Sequence, residues 1–101
     1  MSEAGAALLE ENRRKVFEAL EAEQAVLGSM LLSTEALEGA LGMLKREDFH
    51  RPAHGRIFEA MLDLNSRAVP VDHLSVADRL DVKGELEASG GKPYLLELSS
   101  S

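Results

Sequence analysis

The residues able to do chemistry are few, and each has a plain structural alternative. His50 and His54 stand four apart. On a helix they would share a face, as the paired histidines of a zinc site do. A zinc ion needs a third and usually a fourth ligand. Glu47 and Asp48 are close by, but Pro52 falls between the histidines and interrupts a helix through both. The expected role is a histidine that caps a helix start or bonds a backbone carbonyl in the core. Carboxylates recur at Glu10, Glu11, Glu18, Glu21, Glu23, Glu35 and Glu38. Acid–base chemistry needs two of them in one cleft with separated pKa values. Most lie off the apolar stripes, so a solvated helix face is the expectation. No Ser–His pair has a recognisable local context. Gly84, Gly90 and Gly91 match neither phosphate-cradling glycine pattern, and Gly90-Gly91-Lys92 runs into Pro93. With no Cys, thiol chemistry and Cys-based metal sites are excluded. Tyr94, the single tyrosine, follows the Gly-Gly pair. It suits an interface, where Tyr adds area with a polar tip, and equally a core position with its hydroxyl bonded.

Charge narrows the partners. The 101 residues carry a net charge of −7, which repels nucleic acid. Arg13-Arg14-Lys15 is flanked by Glu10, Glu11 and Glu18 and reads as pairing along one helix. Protein partners are expected, with no direct nucleic-acid binding and no membrane. The longest nearly apolar run, Ala25 to Leu32, is far short of the ~20 residues that span a bilayer. Met1 to Asn12 lacks the basic and apolar regions of a secretory signal, so a cytoplasmic protein is expected. Apolar residues make up 45% and aromatics only 4%, which implies a core of Leu, Ala, Val and Met.

Elements that could position these residues are helical. Leu9, Val16, Leu20 and Leu27 recur at spacings of seven, four and seven, continued by Met30 and Leu31. This predicts a helix over about 14–32, starting as early as Ala6, with Gly28 where another helix approaches closely. Ser33 and Thr34 offer cap oxygens for a second helix to about Leu44, with Leu37, Leu41 and Leu44 inward. Pro52 fits the first turn of a third helix, whose apolar residues are Ile57, Phe58, Met61, Leu62 and Leu64. Pro70 holds Val69 extended. Asp72 is the expected cap of a fourth helix through about Val82, with Leu74, Ala77 and Leu80 inward and Gly84 after its end. Glu85 to Ala88 suits one short turn. Ser89-Gly90-Gly91 then offers positive φ at either glycine. Pro93 opens a last helix with Tyr94, Leu95, Leu96 and Leu98. The expected fold is all-α, a compact bundle of five or six short helices.

Four segments in this order carry a resemblance. Glu21-Ala22-Glu23-Gln24-Ala25-Val26-Leu27-Gly28 resembles the EAEQ-[AS]-VLG signature of the N-terminal domain of DnaB-type replicative DNA helicases. Asp48-Phe49-His50-Arg51-Pro52-Ala53-His54 is similar to that family's DF-[YH]-RPAH element. Pro70-Val71-Asp72 matches its PVD turn. Gly90-Gly91-Lys92-Pro93-Tyr94-Leu95-Leu96-Glu97-Leu98 resembles its GG-x-x-YL-x-EL ending. Together they cover about Glu21 to Ser100. The chain departs from the family at Val16-Phe17-Glu18-Ala19-Leu20, where a Pro-Pro pair is usual, and at Arg67-Ala68-Val69, where a Gly is common.

The resemblance implies an N-terminal extension over 1–20, expected to be helical, and a collar domain over 21–101. In the family this domain continues into a helical hairpin, a linker and a RecA-like motor that binds ATP and Mg. No cofactor, metal or catalytic residue is therefore expected in this chain. The implied roles are assembly of a hexameric ring from like subunits and docking of the primase C-terminal domain. Glu21 and Tyr94 are the candidate primase contacts. Gly28, Phe49, Pro52, His54, Asp72, Gly90 and Gly91 are the candidate structural residues. Phe49 would plug the bundle, and truncating it when buried would cost about 3–5 kcal/mol. Without the hairpin the chain is expected to be monomeric or weakly dimeric. Rival readings are a stand-alone adaptor that mimics the collar, a helix-turn-helix DNA binder, and a metal-dependent hydrolase using His50 and His54.

Overall fold

The computed structural model describes residues 3–100, without the side chains of Val16 and Phe17. Val16 on the first apolar stripe thus lies outside the described side chains. Five α-helices follow one another: α1 (Glu3–Leu32), α2 (Thr34–Met43), α3 (Pro52–Ser66), α4 (His73–Val82) and α5 (Gly91–Ser100). Two 3-10 turns, Arg46–Asp48 and Glu87–Ser89, join them. No strand occurs among the described residues. The all-α bundle expected from the sequence is what forms. Its first helix is not short, however. At 30 residues, α1 is about 45 Å long at 1.5 Å per residue, and its outer half projects from the bundle.

Helix boundaries follow local chemistry. Ser33 Oγ accepts from Ala36 N–H and starts α2. Pro52 sits in the first turn of α3, where its missing N–H leaves no bond unmade. Asp72 accepts from Ser75 N–H at 2.8 Å, and the Ser75 hydroxyl bonds back toward Asp72 N–H at 3.0 Å. That reciprocal cap fixes the start of α4. Gly84 takes φ 71° just after α4. Ala68, at φ 58°, holds a left-handed conformation that suits glycine better.

The core joins Leu27, Met30 and Leu31 of α1, Leu37 of α2, and Ile57, Phe58, Ala60, Met61 and Leu64 of α3. Val76, Ala77 and Leu80 of α4 and Leu95 and Leu98 of α5 complete it. Asp63 pairs with Arg67 and Arg79 and so ties α3 to α4. Burial opposes ionisation of the Asp63 carboxyl, but the charges of Arg67 and Arg79 and the Arg67 hydrogen bond outweigh it, and the carboxyl is held below its usual range.

Several expected core positions are corrected. Leu62 and Leu74 are exposed, and Val76 is buried instead. Leu41 and Leu44 are only half-buried. One helix face cannot hold consecutive residues about 100° apart equally well. Leu74 lies roughly a third of a turn from the face made by Val76, Ala77 and Leu80. Phe49 is also half-buried, packing against Phe58 with ring centroids 5.1 Å apart. It lids the bundle rather than plugging it, so its truncation should cost about 2 kcal/mol, below the range for a fully buried ring.

Candidate functional site: a buried polar relay

Three of the four signature segments converge on His54, which is fully buried. His54 belongs to the inward stripe of α3 with Ile57, Phe58 and Met61, at positions i, i+3, i+4 and i+7. Its ring reaches α1 on one side and α5 on the other. Nδ1 lies 2.8 Å from Glu23 Oε1, and Nε2 lies 2.5 Å from the Tyr94 hydroxyl. A carboxylate only accepts, so Nδ1 carries a hydrogen and donates to Glu23. In the neutral ring Nε2 then accepts from the Tyr94 O–H. Gln24 Nε2 in turn donates to the Tyr94 oxygen at 3.2 Å. The result is a continuous relay from Glu23 through His54 and Tyr94 to Gln24.

Glu23 does a second task. Its Oε2 accepts from His50 N–H at 2.7 Å, and its Oε1 accepts from Arg51 N–H at 3.3 Å. Those N–H groups precede α3 and would otherwise lack partners. Burial raises the Glu23 pKa. The His54 hydrogen bond, the two backbone N–H bonds and the His54 charge more than offset this, so the carboxyl is held below its usual range.

Tyr94 is fixed from all sides. Its ring lies parallel to His54 within 6°, with centroids 5.9 Å apart. The Arg51 guanidinium sits 5.5 Å from its centroid. Gly90 packs beneath it at φ 101°, where an added Cβ would come within 2.7 Å of Tyr94 Cβ. Gly91, at φ 75°, completes the turn into α5. The Gly-Gly pair is therefore required by backbone conformation and, at Gly90, also by space.

This geometry revises two sequence readings. His54 bonds side chains on α1 and α5, not a backbone carbonyl, because it points inward from mid-stripe and meets two other helices there. Glu23 belongs to no solvated face. It lies on the α1 stripe between Leu20 and Leu27, a signal present in the spacing itself. The other residues hold simpler places. Glu21 is exposed on α1, one position off that stripe, and Tyr94 is half-buried with its hydroxyl turned inward. Gly28 is buried, and Pro52 and Asp72 start α3 and α4. His50 is exposed and is not brought to His54, since only its backbone N–H meets Glu23. Among the described residues no group of three His, Cys, Asp or Glu is placed to hold a metal ion. No described helix is long and apolar enough to cross a membrane.

A relay of this kind orients three helices. The imidazole is fully buried and both its nitrogens are engaged, by Glu23 and by Tyr94.

Comparison with known proteins agrees with the motif reading. The family model described as the DnaB-like helicase N terminal domain matches residues 15–101. Replicative DNA helicase DnaB of Mycobacterium leprae is 49% identical over 82 residues, covering 81% of this chain and 14% of that protein. Replicative DNA helicase DnaB of Geobacillus stearothermophilus is 45% identical over 84 residues, covering 83% of this chain and 18% of that protein. The chain thus spans under a fifth of the length of these relatives. The crystal structure of the N-terminal domain of DnaB helicase from Mycobacterium tuberculosis superposes with a TM-score of 0.78 at 49% identity. It covers 80% of this chain and 58% of that one.

Proposed function

The chain belongs to the family of DnaB-like helicase N-terminal domains, and from that premise we propose that it acts in DNA replication as a non-catalytic collar module. Its work is to help assemble a hexameric ring of like subunits and to dock primase. ATP and Mg belong to a motor domain of the same protein, and ATP hydrolysis and DNA translocation take place there. The module works in the cytoplasm.

One observation carries this reading. The signature residues Glu23, Gln24, His54 and Tyr94 bond one another across α1, α3 and α5, and so build a rigid scaffold instead of a reactive cleft. A rigid scaffold is what a ring-building and docking module requires, because repeated closed interfaces tolerate little distortion. The net charge of −7 supports a protein partner over nucleic acid. Glu21, exposed one turn from the relay, and the outer face of Tyr94 are the proposed primase contacts.

Calorimetric titration with the C-terminal helicase-binding domain of the cognate primase tests the docking role. Binding that weakens at least fivefold, about 1 kcal/mol, in Glu21→Lys is expected. Tyr94→Phe keeps the ring and should bind like the parent. No binding by the parent chain would overturn the docking role, and equal binding by Glu21→Lys would remove Glu21 from the surface.

A further inference from the structure

The relay ends on a side chain that can face either way. In the neutral state Gln24 N–H donates to Tyr94, Tyr94 O–H donates to His54 Nε2, and Nδ1–H donates to Glu23. Protonation turns Nε2 into a donor. Tyr94 oxygen must then accept from His54, and its own hydrogen needs a new acceptor. Gln24 already sits on the other side of that hydroxyl, 3.2 Å away. An amide carries a donor and an acceptor of nearly equal size at its two ends. A half-turn of the Gln24 amide presents Oε1 where Nε2 had been. Nε2–H then donates to Tyr94, Tyr94 O–H donates to Gln24 Oε1, and the Glu23 bond is unchanged. Every link survives, and the two on either side of the Tyr94 hydroxyl reverse direction.

We propose that Gln24 is a reversible terminus, which keeps α5 seated on α1 and α3 whether His54 is neutral or charged. The groups around the ring fit this role. On α1, Glu23 accepts from Nδ1 in both states. At the start of α3, the Arg51 guanidinium lies 5.5 Å from the Tyr94 ring centroid, and His50 is exposed. On α5, Glu97 borders the same cleft as Gln24 and Tyr94 but is exposed. A hydroxyl between an imidazole and an amide can relay in both directions. The device is independent of the docking role, since it concerns only how the helices are held.

Two variants test it with opposite signs. Gln24→Met fills the space but cannot accept from Tyr94. Protonated His54 then leaves a hydroxyl hydrogen without its partner, so the folded state disfavours the charge. This variant therefore loses more stability than the parent on acidification. Gln24→Glu can only accept, so it favours the charged ring. This variant therefore loses less stability than the parent on acidification. Thermal unfolding at about pH 8 and about pH 5.5 should give a Tm for Gln24→Met that drops ~5 °C more than the parent's on acidification. Gln24→Glu should shift the other way. Ring-nitrogen NMR of the parent checks the mechanism without a mutation, and hydrogen-bonded Nε2 should be an acceptor at the upper pH and a donor at the lower. Variant Tm profiles parallel to the parent's, or loss of the His54–Tyr94 hydrogen bond at the lower pH, would overturn the proposal.

Discussion

The outer half of α1, residues 3–20, and its inner half, residues 21–32, share one helix axis but differ in what their side chains reach. In the outer half the ion pairs Arg13–Glu10 and Lys15–Glu11 close within one turn, between exposed residues. Leu8 and Leu9 are 60% and 46% exposed. In the inner half Glu23 and Gln24 bond residues 27 to 70 positions away, and Leu27 and Met30 are buried. Both halves are helical because both contain good helix formers. Among the described side chains, the buried core residues of α1 and its long-range side-chain hydrogen bonds belong to the inner half. Surface ion pairs one turn apart contribute about 0.3–0.5 kcal/mol each, whereas breaking a buried hydrogen-bonded pair costs several times more.

Substitutions on the two sides should therefore differ sharply. His54→Ala is expected to be the most damaging. It removes a packed ring and leaves Glu23 and Tyr94 facing a void, so denaturant unfolding should show a loss of about 3–5 kcal/mol. Gly90→Ala comes next, at about 2–3 kcal/mol by the same measurement. Its backbone conformation is strained for alanine, and its Cβ would overlap Tyr94. Glu23→Gln should act through pH. Because the folded Glu23 carboxyl titrates below its ordinary 4.5, its contribution is present above about that pH and lost as pH falls below it. Acid unfolding of the parent should be steeper below pH 4.5 than that of Glu23→Gln. Ala68→Gly should raise stability by about 0.5–1 kcal/mol, since glycine adopts φ 58° without strain. On the outer half, Leu9→Ala should change the unfolding free energy by less than about 0.5 kcal/mol. A loss of several kcal/mol there would erase the contrast between the two halves.

The same contrast explains what the sequence disclosed. Helix starts at Ser33, Pro52 and Asp72 were legible because a cap is a local event, settled within three or four residues. Leu62 and Leu74 were misplaced because each neighbours or nearly neighbours a true core residue, and hydrophobicity alone does not fix the angle. His54 and Glu23 lay on readable apolar stripes, yet their pairing joins helices 31 residues apart. No local pattern specifies which polar side chain answers another across that distance. The motif order carried that information only as resemblance. The geometry supplies the physical reason: three segments contribute the four side chains of a single relay.

A double-mutant cycle between Glu23→Ala and Tyr94→Phe reads that relay across its central histidine. These residues lie on α1 and α5, and His54 joins them. If the relay holds the helices as one unit, the two losses in unfolding free energy should be non-additive by more than about 0.5 kcal/mol. Losses that add within about 0.3 kcal/mol would contradict it, and would mean that the three motifs stabilise the bundle separately.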